Sequence, residues 1–512
     1  MTCEIKKIDS NVTNLAFAEE ECLKQLPTTP IWYDLEPNSY SDFGGDTKTV
    51  NRSPITISRQ NKKGAVVDVS AAGGFNIDFT KSNLTRLLQG FFFADAHELP
   101  STAPLNAAAV PIDSATSGTK TYALASGGDA FIAGDIVLAS GFENAATNGI
   151  KTVASSTSAT IVVNEAITTE AAPPAIAKIE KIGIQFTAED IAMAKTGNIL
   201  SLVSTTTDFT DFTELFPGQW IFIGGDATGK HFVNNVGYAR IGSISANAII
   251  FDDTTFAGAT EAKTGLTIQI FVGTCIKNEN TIDTIIRRSY QLERQLGLGV
   301  TDVQAEYLEG AVPNESKLNI PSADKITMDL SFTACNQTFV TGDGADVIKT
   351  GNHVSILGES AINTSSDIYR MKLAVLDPLT SVPSSLFGYV SEGSISIKNA
   401  PSENKAVGTV GAFDISVGNF EVSGSLTVYF STVAAVAAVR NNADVGFSVI
   451  GAFSNAGFIY DIPLLSLGGG KLTVDKDKPI MLPLTSNGAE NANGYTMLFE
   501  SFKYLPTLAM PE

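Results

Sequence analysis

Apolar and polar residues alternate with a period of two along most of the chain. Val67-Asp68-Val69-Ser70, Phe75-Asn76-Ile77-Asp78-Phe79, Ile326-Thr327-Met328-Asp329-Leu330 and Phe420-Glu421-Val422-Ser423 each offer one face to a core and the other to water, as half-buried strands do. Helical spacing is rarer. Leu84, Leu87, Leu88 and Phe91 fall at i, i+3, i+4 and i+7, with Ser82 or Asn83 placed to cap the first turn. Val433, Val436, Ala437 and Val439, entered through Ser431-Thr432, predict a second short helix. Leu15 to Leu26 reads as a short acidic helix stopped at Pro27.

From about residue 105 to 275 the chain turns rich in Ala, Thr, Ser and Gly, and it repeats. Phe131-Ile132-Ala133-Gly134-Asp135-Ile136-Val137-Leu138 is echoed by Phe216-Pro217-Gly218-Gln219-Trp220-Ile221-Phe222-Ile223. Each is followed by an Asn-Gly or Asn-Asn loop and an apolar strand, Ala159 to Val163 or Ala248 to Phe251. Each copy closes on a similar strand, Gly183 to Phe186 or Thr267 to Phe271. Two tandem β-barrel or β-sandwich modules are expected, as an insertion dispensable to the rest.

A looser repeat joins the flanks. Ile55 to Arg59, Lys63-Gly64-Ala65-Val66, Gly73 to Ile77 and a helix are matched by Ile395 to Asn399, Lys405-Ala406-Val407, Gly418 to Val422 and a helix. Each arm later supplies an alternating strand, Lys325 to Phe332 or Tyr495 to Phe502. The shared order of strand, Lys-bearing loop, Gly-x-Phe strand and helix predicts a duplicated domain.

Composition narrows the class. With 512 residues, 44% hydrophobic and only 17% charged, the chain holds material for two to four packed domains. A net charge of −20 argues against a surface that grips nucleic acid, because phosphate binding needs Lys and Arg. Met1 to Ile8 has no apolar core of signal-peptide length, and no apolar run is long enough to span a bilayer. Cys3, Cys22, Cys275 and Cys335 are scattered, which suits reduced thiols in a protein made in the cytoplasm.

Catalytic and metal-binding patterns are not found. His97, His231 and His353 are isolated, and neither a zinc-binding helix nor a Gly-x-Ser-x-Gly elbow occurs. Asp343-Gly344-Ala345-Asp346 and Asp475-Lys476-Asp477 are too short for calcium loops and read as solvated turns. Gly224-Gly225-Asp226-Ala227-Thr228-Gly229-Lys230-His231 follows a strand and matches a phosphate-binding loop up to its last position. His231 replaces the magnesium-binding hydroxyl, Asp226 would repel phosphate, and Phe232-Val233-Asn234 lacks helical periodicity, so a plain hairpin loop is expected. No catalytic residue, cofactor or metal site is assigned.

Trp32 to Lys48, Arg52 to Phe79 with Leu87-Leu88-Gln89-Gly90-Phe91, and Gly418 to Phe430 together resemble the major tail tube proteins of siphophages. Tyr290 to Gln295, Glu309-Gly310 and Leu330-Ser331-Phe332 are similar in kind. The resemblance covers roughly the first hundred residues and everything after 276. It implies a mainly β protein whose tube domain is a β-sandwich, with strands of several subunits closing into one barrel. Rings of such subunits stack into a conduit for viral DNA, and no catalytic residues carry over.

On this reading residues 1–104 form the N-terminal arm and the first part of tube domain 1. Residues 105–196 and 197–275 are the inserted modules, 276–345 complete tube domain 1, and 346–512 form tube domain 2. The expected protein is a structural component of the virion tail, assembled in the host cytoplasm and not an enzyme. Its partners would be copies of itself, other tail proteins (tape measure, tail terminator and distal tail) and DNA in transit, with no membrane. A trimeric ring with pseudo-sixfold symmetry is favoured over a hexamer. Alternation places Asp68, Asp78 and Glu421 on the side of their strands opposite Val67, Val69, Phe75, Ile77, Phe420 and Val422, as candidate lumen-facing acids. Two other classes share this composition: a surface-layer or adhesin-type β protein, and a virion-associated carbohydrate hydrolase hiding a carboxylate pair.

Overall fold

The computed structural model describes residues 8, 13–55, 57–97, 109–297, 303–342, 349–355 and 358–511. The fold is mainly β, and among these residues α-helix is confined to Thr85–Phe92 and Ala434–Arg440. Cys3 and the Asp343 to Asp346 stretch lie outside the described residues. The chain forms two compact units. One comprises residues 1–93, 281–364 and 392–426, and the other 94–280, 365–391 and 427–512.

The first unit is organised by one strand of 18 residues, Val303–Ile320. Its first half pairs with Tyr290–Leu296 and Asn336–Gly342, and its second half with Thr327–Ala334 and the 393–398 segment. The strand therefore leaves one sheet and enters another. The change occurs at Gly310, whose φ of +65° suits glycine and where a Cβ would lie 2.9 Å from the Cys335 sulfur. A bulge at Pro313–Glu315 completes the bend.

The first sheet continues outward through Thr13–Glu19 and Ile31–Leu35, which Asn352–Val354 joins in parallel. The second runs Pro37–Arg52, Lys62–Asp78, Thr327–Ala334, 312–320 and 393–398. An aromatic chain fills the core of this unit: Phe17 meets Tyr290, Tyr290 meets Phe332, and Phe332 meets both Phe75 and Phe91. Helix Thr85–Phe92 buries Leu87, Leu88 and Phe91, as its spacing predicts. Its N-terminus carries no side-chain cap. Asn83 instead receives the Thr80 N–H and donates to the Asp78 carbonyl.

Two local expectations are corrected here. Leu15 to Leu26 is not a helix: Thr13–Glu19 is a strand paired on both edges, with Leu15, Ala16, Phe17 and Ala18 all buried. A short apolar run has no decisive period, and pairing on both sides overrides local preference. The described residues of Ile55 to Arg59 do not form a strand either. Pairing ends at Arg52 opposite Lys62, and Ile55 and Ile57 lie fully exposed at the hairpin end.

In the second unit the Ala/Thr-rich region repeats element for element. Ser114–Thr116, Thr121–Ala123, Asp135–Ser140, Gly149–Thr157, Thr160–Val163 and Lys178–Gln185 correspond to Ala192–Thr196, Ile199–Val203, Trp220–Ile223, Gly237–Ser245, Ala248–Thr254 and Gln269–Val272. Pairing is the same in both copies, down to the bridge that returns to the first strand, Ala115–Glu170 or Met193–Glu261. Each copy has its own core, around Tyr122 and Ile161 or around Leu202 and Ile241. Gly183–Gln185 pairs with Gln269–Phe271 and joins the two.

Both copies also pack on a sheet of Thr274–Lys277, Leu498–Phe502, Ala456–Gly469, Val445–Phe453 and Ile368–Val375. Ile136, Ile182, Trp220, Phe222, Tyr238 and Phe271 share one core with Ile450, Ile459, Leu498 and Phe502. The boundary encloses charge as well. Arg240 bridges Asp252 at 2.7 Å and fully buried Asp461 at 3.0 Å, and Lys372 and Arg370 hold Asp253. Glu500 accepts the N–H groups of Trp220 and Gly273, and burial pushes its carboxyl up to about 8. Helix Ala434–Arg440 forms where predicted, but it buries Ala435 and Ala438 and leaves Val433 exposed.

Candidate functional site

Where it covers the core, the second sheet of the first unit turns a face without large apolar side chains away from it. Phe75, Ile77, Met328, Leu330, Phe332, Leu318, Ile395 and Ile397 all point to the core. Alternation therefore turns Asn76, Asp78, Thr327, Asp329, Ser331, Lys317, Asn319 and Ser394 to the other side. Register then places them in rows. Asn76 lies opposite Asp329 and donates to it at 2.6 Å, while Asn319 donates to the other Asp329 oxygen at 2.7 Å. Asn38 donates to Asn76 and Asp78.

Two of the lysines on this face are paired, while Lys317 has no ion pair among those described. Lys325 binds Asp78 at 2.7 Å, and Lys398 lies 3.5 Å from Glu315. The Ser394 hydroxyl meets Ser425 at 2.9 Å, which extends the same face onto Glu421–Tyr429. Glu421 shares the parity of Ser425 and is exposed, with Val422 and Leu426 turned inward. Asp78 and Glu421 thus lie on one polar face. Asn76, Asn319 and Asp329, which tie neighbouring strands together across this face, were not singled out from the sequence. The period-two pattern around Ile326 to Leu330 already carried the signal for Asp329.

Asp68 is placed differently. It sits in the hairpin of Pro37–Arg52 and Lys62–Asp78, beyond the part that covers the core. Asp46 to Arg52 and Ala65 to Val67 are all exposed there. Val67, expected to be buried, is 45% exposed, because the strand outruns the core that would cover it. The side bearing Asp68 is overlaid instead by Ser402–Asn404 and the residue after it. Lys405 binds Asp68 at 2.6 Å and Glu403 at 2.8 Å, and Ser70 donates to Glu403. The hydrogen bond from Lys405 holds the Asp68 carboxyl below the usual carboxylate range.

Elsewhere the chemistry is sparse. No group of three or more His, Cys, Asp or Glu side chains converges for a metal among the described residues. Gly224 to His231 connects the antiparallel strands Trp220–Ile223 and Gly237–Ser245, and no helix follows it. Lys230 is spent on Gln185, and Asp226 receives the Leu508 N–H. The recess beside this loop also holds Glu165, so two carboxylates face any phosphate there. No described helix is long and apolar enough to cross a membrane.

A family model described as phage tail tube protein matches residues 10–488, nearly the whole chain. No curated protein matches it.

Proposed function

The chain belongs to the phage tail tube protein family, and from that premise we propose that it is a structural subunit that assembles with its own copies into stacked rings. The rings form the conduit through which the viral genome passes, in the company of tape-measure, terminator and distal tail proteins. The observation that carries this reading is the polar face of the second sheet of the first unit. DNA must slide along such a wall without sticking, so the wall should offer phosphates few uncompensated cations. Short amides, hydroxyls and carboxylates line this face, and Lys325 and Lys398 are held by acids.

Two further features suit closure by other copies. Among the described residues, Pro37–Arg52 pairs on one edge only, through Lys62–Asp78, which leaves a row of backbone groups for a neighbouring strand. The same hairpin exposes Val50, Ile55, Ile57, Val66 and Val67, apolar surface of the kind that subunit contacts cover. On this reading Asp78 and Glu421 face the lumen, Asp68 lies towards the hairpin end, and residues 105–275 sit outside the ring.

Electron microscopy of the purified protein tests the proposal. Tubes or stacked rings with a central hole are expected. Discrete particles at all concentrations, or a flat lattice, would sink it, and a flat lattice would favour a surface-layer protein.

A further inference from the structure

The first module buries a lysine between two carboxylates. Lys181, on Lys178–Gln185, lies 2.8 Å from an Asp135 oxygen and 2.6 Å from a Glu214 oxygen. Asp135 is fully buried, the Lys181 side chain is 5% exposed, and Glu214 is 10% exposed. Asp135 opens Asp135–Ser140, the ladder neighbour of the lysine's strand, and Glu214 comes from the second copy of the repeat. The contacts are not alike. Lys181 makes a directed hydrogen bond to Glu214, whereas Asp135 Oδ1, despite its closeness, has no well-aligned donor at all. The second Asp135 oxygen accepts the Ile132 N–H, which fixes the carboxyl plane.

From this geometry we propose that Lys181 and Asp135 condense into an intramolecular amide, with Glu214 as the acid–base group, so that the first module is covalently cross-linked between neighbouring strands. The reaction needs no oxidant or cofactor. Lys181 passes a proton to Glu214, and its Nζ lone pair attacks Cγ of the protonated Asp135 carboxyl. The C–N bond forms, Glu214 protonates the departing hydroxyl and then takes the second nitrogen proton, so one water is released and Glu214 ends protonated beside a neutral amide.

Burial favours each requirement. It raises the Asp135 carboxyl above the usual range, which shifts it towards the protonated, electrophilic form. Burial also pulls the Lys181 ammonium down, and Asp135 and Glu214 more than offset this while both are ionised; a proton on Asp135 removes part of that hold and eases transfer from Lys181 to Glu214. Held in contact, the partners react at high effective concentration, and a dry site disfavours the reverse hydrolysis. A small recess lined by Lys181, Gly273, Thr274 and Lys503 lies against the lysine. Because Glu214 belongs to the second copy, the bond would form only after the copies have docked.

The alternative is a permanent buried ion pair, and intact-mass spectrometry of the purified full chain separates the two. The expected mass is lower than that of the sequence by one water. Digestion should release a branched peptide joining the Lys181 and Asp135 segments. Lys181→Arg, which keeps the charge but does not condense, should restore the full mass, and so should Asp135→Ala. Glu214→Gln should leave the bond unformed in a folded chain. Wild-type protein at full sequence mass, with both segments recovered only as linear peptides, would overturn the proposal. Water loss that persists in Lys181→Arg would overturn it equally, by placing the dehydration elsewhere.

Discussion

Asp78 and Asp68 show how little a residue's position in an alternating pattern says about its charge environment. Both carboxylates face away from their apolar neighbours in the sequence, and both are neutralised by a lysine distant in the chain, Lys325 and Lys405. Glu421 has no such partner among the described ion pairs and lies exposed. Asp78→Lys, Asp68→Lys and Glu421→Lys together reverse three charges and also release Lys325 and Lys405. If the polar face lines a DNA channel, each new ammonium–phosphate contact in water adds about 1 kcal/mol of attraction, or about fivefold in residence at that contact. Virions carrying the triple variant should form normal tubes and eject DNA several-fold more slowly, with the defect relieved by salt. Normal virions with unchanged ejection kinetics would remove these residues from the lumen.

At the scale of elements, strands with clean alternation and helices with i, i+3, i+4, i+7 spacing were legible, as Thr327–Ala334 and Thr85–Phe92 show. The internal repeat was legible too, because its turns and apolar runs recur in the same order. Thr13–Glu19 and the Ile55 to Arg59 turn were not, since pairing on both edges and the end of a hairpin are decided by distant partners. Least legible was the support beneath the modules. A Ser/Thr/Ala-rich insertion suggests a loosely attached appendage, yet Trp220, Tyr238 and Arg240 pack against Ile450, Ile459 and Asp461. Replacing 105–275 by a Gly/Ser linker would therefore expose Ile450, Ile459, Leu498 and Phe502, at about 1.5–3 kcal/mol for each fully buried side chain. It would also strip Asp461 of Arg240. The shortened protein is expected in the insoluble fraction or without a cooperative thermal transition. A soluble, cooperatively folding deletion protein that still forms tubes would restore the dispensable-insertion reading.

For the whole molecule the open question is how many chains close a ring. The resemblance to siphophage tube proteins implies six tube domains around the channel, and barrel diameter is tied to strand number. Two features argue that each chain brings two. A Gly-x-Phe triplet, a strand and a short helix occur together twice: Gly73 to Phe75 lie within Lys62–Asp78 ahead of Thr85–Phe92, and Gly418 to Phe420 lead into Glu421–Tyr429 ahead of Ala434–Arg440. The 393–398 segment of the second arm also pairs directly with 315–320 of the first, so strands from both arms extend one ladder within a single chain. Pro37–Arg52, with one edge unpaired among the described residues, stands at the far end of that ladder for a neighbour to continue. We therefore expect three chains per ring with pseudo-sixfold symmetry, each contributing one copy of the 105–275 modules. Symmetry analysis of a tube image decides the matter. Three outer protrusions per layer are expected, whereas a true sixfold at a resolution that separates the modules would rule the trimer out and leave one arm of each chain as support outside the wall.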